Sequence, residues 1–215
     1  MVQDGSLKLN SGYDMPIIGL GTWQAPKGEV GAAVRTALEN GYRHIDCAAC
    51  YGNEAEIGAV FEEAFAAGTV KREELFVTSK LWNSEHAPKD VKPALEKTLK
   101  DLRLDYVDMY LIHWPQNFAK EAEGNCSFPR NEDGSMRYET ETTSEQTWAA
   151  MEALVDAKLV RSRATKGCFT VTSQRGRSPR SQLTTRVGRT HMGETFARPQ
   201  DGRRPSERCL RRMTT

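Results

Sequence analysis

The sequence lacks several features that would place it in a particular class of protein. No run of about 18 apolar residues occurs, and the first ten residues have neither the basic start nor the apolar core of a signal peptide. Its 5 cysteines are odd in number and irregularly spaced, which favours free thiols over a disulfide framework. These absences predict a protein without a membrane segment in the reducing environment of the cytoplasm.

Residues 161–215 are poor in large apolar side chains and in acidic residues. They contain 14 Lys+Arg against 3 Asp+Glu, a net charge of +11, whereas residues 1–160 contain 16 against 26, a net charge of −10. A segment of this composition cannot bury enough apolar surface to offset the chain entropy lost on folding. We therefore predict a folded domain over 1–160 and a basic, Arg/Ser-rich, disordered tail over 161–215.

The basic tail suggests one alternative function. A segment with a charge of +11 could bind nucleic acid or acidic partners by releasing counterions. Its two Phe-containing patches, CFTV and TFA, form no stacking platform, and no nucleic-acid-binding motif is recognisable. We therefore give this hypothesis less weight than a solvated tail without a function.

Before residue 160, short apolar runs alternate with helical patterns. The runs that are typical of strands cover residues 15–21, 42–48, 74–80 and 106–113. Between them, apolar residues recur at helical spacing, with Gly41 as the expected end of the first helix. Pro88 lies near the start of the third, and Thr143 with Gln146 forms a capping box for the fourth. This alternation of strands and helices indicates βαβ units and a parallel sheet.

Four titratable side chains lie at or just beyond the ends of the predicted strands: Asp46, Tyr51, Lys80 and His113. The carboxyl ends of parallel strands converge on the active site, so we expect one constellation. A lysine at a buried strand end needs a charged partner, and Asp46 is the natural one. Lys80 would lower the pKa of Tyr51, and His113 would donate a hydrogen bond to a substrate oxygen. The inferred chemistry is protonation of an oxygen, with no metal required.

Cys47 and Cys50 form a Cys-x-x-Cys pair directly after Asp46. A metal site of this kind needs a second pair of ligands, and none is visible. A redox pair normally opens a helix, whereas Tyr51 and Gly52 stand between this pair and the predicted helix. We therefore predict that the two cysteines are small apolar fillers around the aspartate.

Four stretches of the sequence are similar to the aldo-keto reductase family, and the resemblance covers residues 5–160. The stretches are MPIIGLGTWQ, GYRHIDCAACYGNEAEIG, LFVTSKLWNSEH and LDYVDMYLIHWP, and they look most like the aldehyde reductase type. The family folds as a (β/α)8 TIM barrel and reduces aldehydes and ketones to alcohols with NADPH. The resemblance implies that residues 1–160 are the N-terminal half of such a barrel, from a monomeric cytoplasmic oxidoreductase with alcohol dehydrogenase (NADP+) activity on small carbonyl compounds.

The resemblance also implies roles for individual residues. Tyr51 is the proton donor, Lys80 and Asp46 lower its pKa, and His113 orients the carbonyl. The positions at the nicotinamide end of the cofactor are Thr22, Trp23 and Asp46. The positions of the substrate pocket are Trp23, Tyr51, Trp82, His113 and Trp114.

The family pattern stops near Val160, where a fifth strand should begin at KLVRS but does not continue. In the family, later strands hold the nicotinamide amide and the adenosine phosphate, and none is recognisable here. The abrupt change is typical of a different reading frame or an alternative exon. We therefore expect a complete catalytic tetrad, poor reduction of aldehydes or none, and open sheet edges that favour self-association. A non-catalytic half-barrel is the remaining alternative.

Overall fold

A computed structural model describes residues 5–26, 28–121 and 127–165 of the chain. The strands are β1 (Ser6–Lys8), β2 (Asp14–Pro16), β3 (Leu20–Gly21), β4 (His44–Asp46), β5 (Phe76–Leu81), β6 (Val107–Ile112) and β7 (Val160–Thr165). The helices are α1 (Val30–Glu39), α2 (Glu54–Ala66), α3 (Pro88–Leu102) and α4 (Ser144–Asp156). Short 3-10 turns cover Ala49–Tyr51, Arg72–Glu74 and Asn83–Glu85. None of the helices in these three ranges has the length and apolar character needed to cross a bilayer.

Strands β3 to β7 form one parallel sheet in which each strand pairs with the next one along the chain. A helix lies between each strand and the next, and successive helices pack against one another. Right-handed crossovers between neighbouring parallel strands place all four helices on the same side of the sheet. The predicted α/β class and parallel sheet are therefore confirmed, while the half-barrel stays a prediction.

Apolar side chains form one cluster on each side of the sheet. The larger cluster lies between the sheet and the helices and includes Ile45, Val77 and Phe61, each 0% exposed. The smaller cluster consists of Phe76, Met109 and Leu111, against which Leu9, Met15 and Ala164 pack. Phe76 and Val77 fall in different clusters because successive side chains of a strand point to opposite faces. The hairpin of β1 and β2 thus contributes to the face opposite the helices.

The predicted strand over 15–21 is wrong, because this stretch belongs to two different sheets. Strand β2 pairs antiparallel with β1 in a hairpin that was not predicted, whereas β3 pairs with β4 in the parallel sheet. Between them, Ile17 and Ile18 are 54% and 51% exposed. Gly19 passes so close to His44 that an added Cβ would lie 2.8 Å from its ring. The apolar run is therefore a crossing between sheets and not one buried strand.

The predicted boundary at residue 160 is also displaced. Strand β7, Val160–Thr165, pairs with β6 along its length, so the first five residues of the predicted tail belong to the sheet. The fifth strand that the family resemblance required is therefore present, although its sequence did not suggest one. The rest of the predicted tail, 166–215, lies outside the described residues.

Arg161 shows why a basic residue can join this strand. Its guanidinium lies 2.9 Å from an Asp108 carboxylate oxygen and 4.2 Å from the centre of the Tyr106 ring. Asp108 is 2% exposed and also accepts hydrogen bonds from Arg72 and from the Val77 N–H. A buried carboxylate is stable only when it is paired and hydrogen-bonded. We call Arg72, Tyr106, Asp108 and Arg161 the amino-edge cluster, because it joins the starts of β5, β6 and β7.

Candidate active site

The four predicted titratable side chains lie together at the carboxyl edge of the sheet, by which we mean the side where the parallel strands end. Asp46 ends β4, Lys80 is the next-to-last residue of β5, and His113 directly follows β6. Tyr51 ends the 3-10 turn after β4, and Gly52 closes that turn at φ 69°, a left-handed conformation that glycine adopts without strain. The convergence expected from strand ends is therefore present.

Lys80 is at the centre of this group. Its Nζ lies 2.8 Å from Asp46 Oδ1, 2.7 Å from the Cys47 carbonyl oxygen and 3.2 Å from Tyr51 Oη. An ammonium group has three donors, so these three acceptors satisfy a side chain that is only 2% exposed. The predicted ion pair between Lys80 and Asp46 is present. The Cys47 carbonyl is a further acceptor that the sequence did not indicate.

The pKa of Tyr51 departs from the prediction. Burial raises this pKa above its usual value, and this effect outweighs the charge and hydrogen bond of Lys80, which lower it. Asp46 raises it as well, because a nearby carboxylate disfavours the phenolate. We expected Lys80 and Asp46 together to lower the pKa of Tyr51. Lys80 does lower it, but Asp46 raises it, and the net change is an increase.

His113 lies between Tyr51 and the tryptophans. Its ring packs edge-on against the Tyr51 ring, with centres 5.9 Å apart, and against the Trp82 ring at 5.3 Å. His113 is 3% exposed, and its Nδ1 has no hydrogen-bond partner in the described part of the chain. The imidazole is thus held mainly by ring packing, at the border between the polar group and an apolar surface.

That apolar surface, which we call the aromatic wall, consists of Trp82, Trp114, Phe118 and Phe128. Their ring centres lie 5.4 to 6.4 Å apart. Trp114, Phe118 and Phe128 also line an open cavity of about 450 Å³. The two phenylalanines were missed, and the only signal for them is an isolated aromatic residue in each of the polar stretches QNFAK and SFPR.

The structure does not place Trp23 in the aromatic wall. Trp23 is 68% exposed, and within the described ranges it makes no ring contact with Trp82 or Trp114. Thr22 is 1% exposed, and its hydroxyl and N–H both donate to the Asp46 carbonyl, at 2.9 and 3.2 Å. Among the described residues, Asp46 uses only Oδ1 for Lys80. An exposed aromatic ring and a second carboxylate oxygen beside Tyr51 fit the nicotinamide end of a dinucleotide.

The two cysteines near the site differ in burial. Cys47 is 0% exposed and packs in the larger apolar cluster, and burial raises the pKa of its thiol well above the usual value. A thiol in such surroundings stays protonated and is a poor nucleophile. This agrees with the predicted packing role of Cys47, whereas Cys50 is half-buried. Within the described residues, neither cysteine is part of a disulfide.

Comparisons with known proteins agree with this geometry. Residues 17–166 match the model of the Aldo/keto reductase family. Aldo-keto reductase family 1 member A1 of Bos taurus is 56% identical over 154 residues, which cover 71% of this chain and 46% of that protein. The same protein of Rattus norvegicus is 54% identical over 157 residues, which cover 73% and 47%.

A solved structure, that of the aldose reductase from Schistosoma japonicum, superimposes with a TM-score of 0.71 at 50% sequence identity. The match covers 75% of this chain and 52% of that chain. The present chain spans about half the length of the curated relatives it matches.

Proposed function

The chain belongs to the aldo-keto reductase family, and from that premise we propose that its carboxyl-edge site protonates the oxygen of an aldehyde or ketone during reduction to an alcohol. The observation that carries this proposal is the position of Lys80 Nζ, in hydrogen-bond contact with both Asp46 and Tyr51 Oη. A buried cation beside a phenol supports proton donation, because it stabilises the phenolate that is left behind.

Tyr51 is the proton donor in this proposal. Its raised pKa keeps the phenol protonated at neutral pH, so the proton is present when the substrate binds. An oxyanion that develops on a carbonyl oxygen is a far stronger base than a phenolate, so the raised pKa does not prevent the transfer. His113, in edge contact with the Tyr51 ring, orients the carbonyl.

The aromatic wall is the substrate surface in this proposal. Trp82 packs against His113, and Trp114 continues the wall towards Phe118 and Phe128. Apolar pockets with a few polar groups at one end are typical of small-molecule sites. The substrate class that fits is a carbonyl compound with an apolar or aromatic substituent.

NADPH is the proposed cofactor, and when bound it would supply the hydride. The second carboxylate oxygen of Asp46 and the exposed ring of Trp23 would contact its nicotinamide end. The family resemblance places the groups that grip the phosphates in later strands, beyond the matched segment 17–166. Positioning of the reacting carbons within about 3–3.5 Å can lower the barrier by roughly 7–11 kcal/mol. We therefore propose that these 215 residues by themselves reduce carbonyl substrates slowly.

The test is NADPH oxidation with a reactive aromatic aldehyde, followed for the wild-type chain and for Tyr51→Phe. We expect a wild-type rate well below about 1 s⁻¹ and a further loss of about 10²- to 10⁴-fold in the variant, because the proton donor is removed. Tyr42→Phe, which changes a tyrosine away from the site, should keep the wild-type rate. Equal rates for wild type and Tyr51→Phe would exclude Tyr51 as the donor. A wild-type rate of about 1 s⁻¹ or more would contradict the proposed slow turnover but not the role of Tyr51.

A further inference from the structure

Asn53 occupies the N-cap position of α2, two residues after Tyr51, but its side chain does not cap that helix. Its Nδ2 instead donates a hydrogen bond to the carbonyl oxygen of Thr22, at 2.9 Å. Asn53 is 7% exposed and Thr22 is 1% exposed, so this bond is buried. Asparagine is among the best N-cap residues. Here it joins two segments of the chain and leaves its own helix uncapped.

This arrangement is unfavourable for local stability. The Oδ1 atom of Asn53 is buried and has no hydrogen-bond partner within the described ranges. A buried, unpaired acceptor carries a desolvation penalty. Folded proteins depart from such local rules mainly at functional or strained sites. The bond to Thr22 therefore indicates a role beyond helix formation.

The bond completes a continuous path between the Tyr51 turn and the Asp46 strand. Asn53 holds the carbonyl of Thr22, and the hydroxyl and N–H of Thr22 hold the carbonyl of Asp46. Asp46 and Tyr51 then meet again at Lys80. The Asn53–Thr22 bond is buried and the other side-chain bonds of the path are part-buried. Together they fix the turn that carries Tyr51 relative to the strand end that carries Asp46.

We propose that Asn53 is a positioning residue whose bond to Thr22 holds the Tyr51 turn where Tyr51 Oη meets Lys80 Nζ. The proposal rests on the proposed function, in which Tyr51 is the proton donor. Asn53 acts through Tyr51, because its side chain donates to the Thr22 carbonyl and not to a titratable side chain of the site.

A serine at this position separates positioning from stability. Serine caps helices about as well as asparagine, but its side chain is one atom shorter and lacks an amide N–H to reach Thr22. Asn53→Ser should therefore gain a cap on α2, which offsets part of the lost bond, while the Tyr51 turn loses its link to Thr22. Asn53→Ala loses the link and gains no cap, so it should be the less stable of the two variants.

The experiment measures the Tyr51 phenol directly in the full 215-residue chain. Tyrosine labelled with ¹³C at Cζ gives one NMR signal for each of the 6 tyrosines, and Tyr51→Phe assigns the signal of Tyr51. In Asn53→Ser, this signal should shift in the same direction as in Lys80→Met, because both variants lose the hydrogen bond between Lys80 and Tyr51. The other five signals should stay in place.

The proposal is overturned if the Tyr51 signal is unchanged in Asn53→Ser but shifts in Lys80→Met. It is also overturned if all six signals shift, or if both Asn53 variants are unfolded by circular dichroism, since Asn53 would then be a structural residue. The readout needs no turnover, so an inactive wild-type chain would contradict the proposed function without affecting this result. Where turnover is measurable, kcat should fall by about 10- to 100-fold.

Discussion

The sheet buries one charged side chain near each edge, and the surroundings of the two differ. Asp108, at the amino edge, is 2% exposed and accepts hydrogen bonds from Arg72, Arg161 and a backbone N–H. Lys80, at the carboxyl edge, is also 2% exposed. Its partner Asp46 has a side chain that is 39% exposed, and Tyr51 is half-buried. The amino-edge cluster is closed, whereas the group around Lys80 opens to solvent.

This difference indicates that the amino edge stabilises the fold, whereas the carboxyl edge is able to bind a ligand. Two cations and an N–H occupy three of the roughly four lone-pair sites of Asp108, and the residue is 2% exposed, so its carboxylate is closed to solvent. The group around Lys80 is different, because two of its members keep an atom that a ligand could reach. These atoms are the second carboxylate oxygen of Asp46 and the hydroxyl oxygen of Tyr51. In parallel α/β folds the carboxyl ends of the strands carry the active site, and the amino ends carry stability. The following predictions test this contrast, beginning with the largest expected effect.

Asp108→Ala should break the closed cluster. The change leaves the guanidinium groups of Arg72 and Arg161 without their carboxylate, and the loss of one partner of a buried ion pair costs about 3–5 kcal/mol. The measurement is urea unfolding of wild type and variant under the same conditions. Asp105→Ala, at an exposed position two residues before β6, is the matched control, and it should stay within about 0.5 kcal/mol of wild type. A similar small loss for Asp108→Ala would show that the cluster is not a source of stability.

Glu54 is a third buried charged group, and its partners differ from those of Asp108 and Lys80. It is buried with hydroxyl donors, and in the described part of the chain it forms no salt bridge. Its carboxylate accepts hydrogen bonds from Ser79 at 2.6 Å and Thr98 at 3.1 Å, and burial raises its pKa to about 7. The unfolded chain releases this proton near pH 4.3, while the folded chain keeps it to about pH 7, so this group makes stability fall as pH rises through that window. The expected contribution is on the order of 3–4 kcal/mol, at about 1.4 kcal/mol per pH unit of difference.

Glu54→Gln should remove this pH dependence, because the amide does not titrate. Urea unfolding at pH 5 and pH 7.5 measures the difference. Glu73→Gln, at an exposed position, should keep the slope of the wild type. If wild type gains more stability than Glu54→Gln between the two pH values, then the pKa of Glu54 is lowered in the folded chain and the prediction is wrong.

Lys80→Met should have the smallest effect on stability. The variant leaves Asp46 and Tyr51, which water can reach, and the buried Cys47 carbonyl without its donor. We therefore expect a loss of about 1–3 kcal/mol, the cost of one unpaired buried acceptor. The same change should raise the pKa of Tyr51 further, because Lys80 lowers it. Urea unfolding and ultraviolet titration of tyrosine measure the two effects. A loss as large as that of Asp108→Ala would remove the distinction between the two edges.

The features that could be predicted from sequence depend on local patterns. Alternating strands and helices indicate the parallel sheet, and a strand end is visible as the point where an apolar run meets a polar residue. For this reason Asp46, Lys80 and His113 were found as one group. The raised pKa of Tyr51 could not be predicted, because it depends on how deeply its ring is buried.

The features that could not be predicted depend on contacts between distant positions. Arg161 lies in a stretch whose Arg-rich composition is that of the predicted tail. Only its pairing with Asp108, 53 positions earlier, identifies it as part of a strand. Asn53 looks like an ordinary helix cap, while its partner Thr22 lies 31 positions away. The aromatic residues of the loop after β6 join the site only because that loop folds back over Trp82.

The hairpin of β1 and β2 is synthesised long before strand β7, which it contacts. Its Ser11 hydroxyl lies 2.5 Å from the hydroxyl of Ser162, 151 positions later, and its Tyr13 ring lies 5.0 Å from the Arg161 guanidinium. A ribosome that adds 5–20 residues per second needs roughly 8–30 s to reach Ser162 after Ser11. Throughout that interval the nascent hairpin has no β7 to dock against, and its apolar side chains Leu9 and Met15 are available to chaperones.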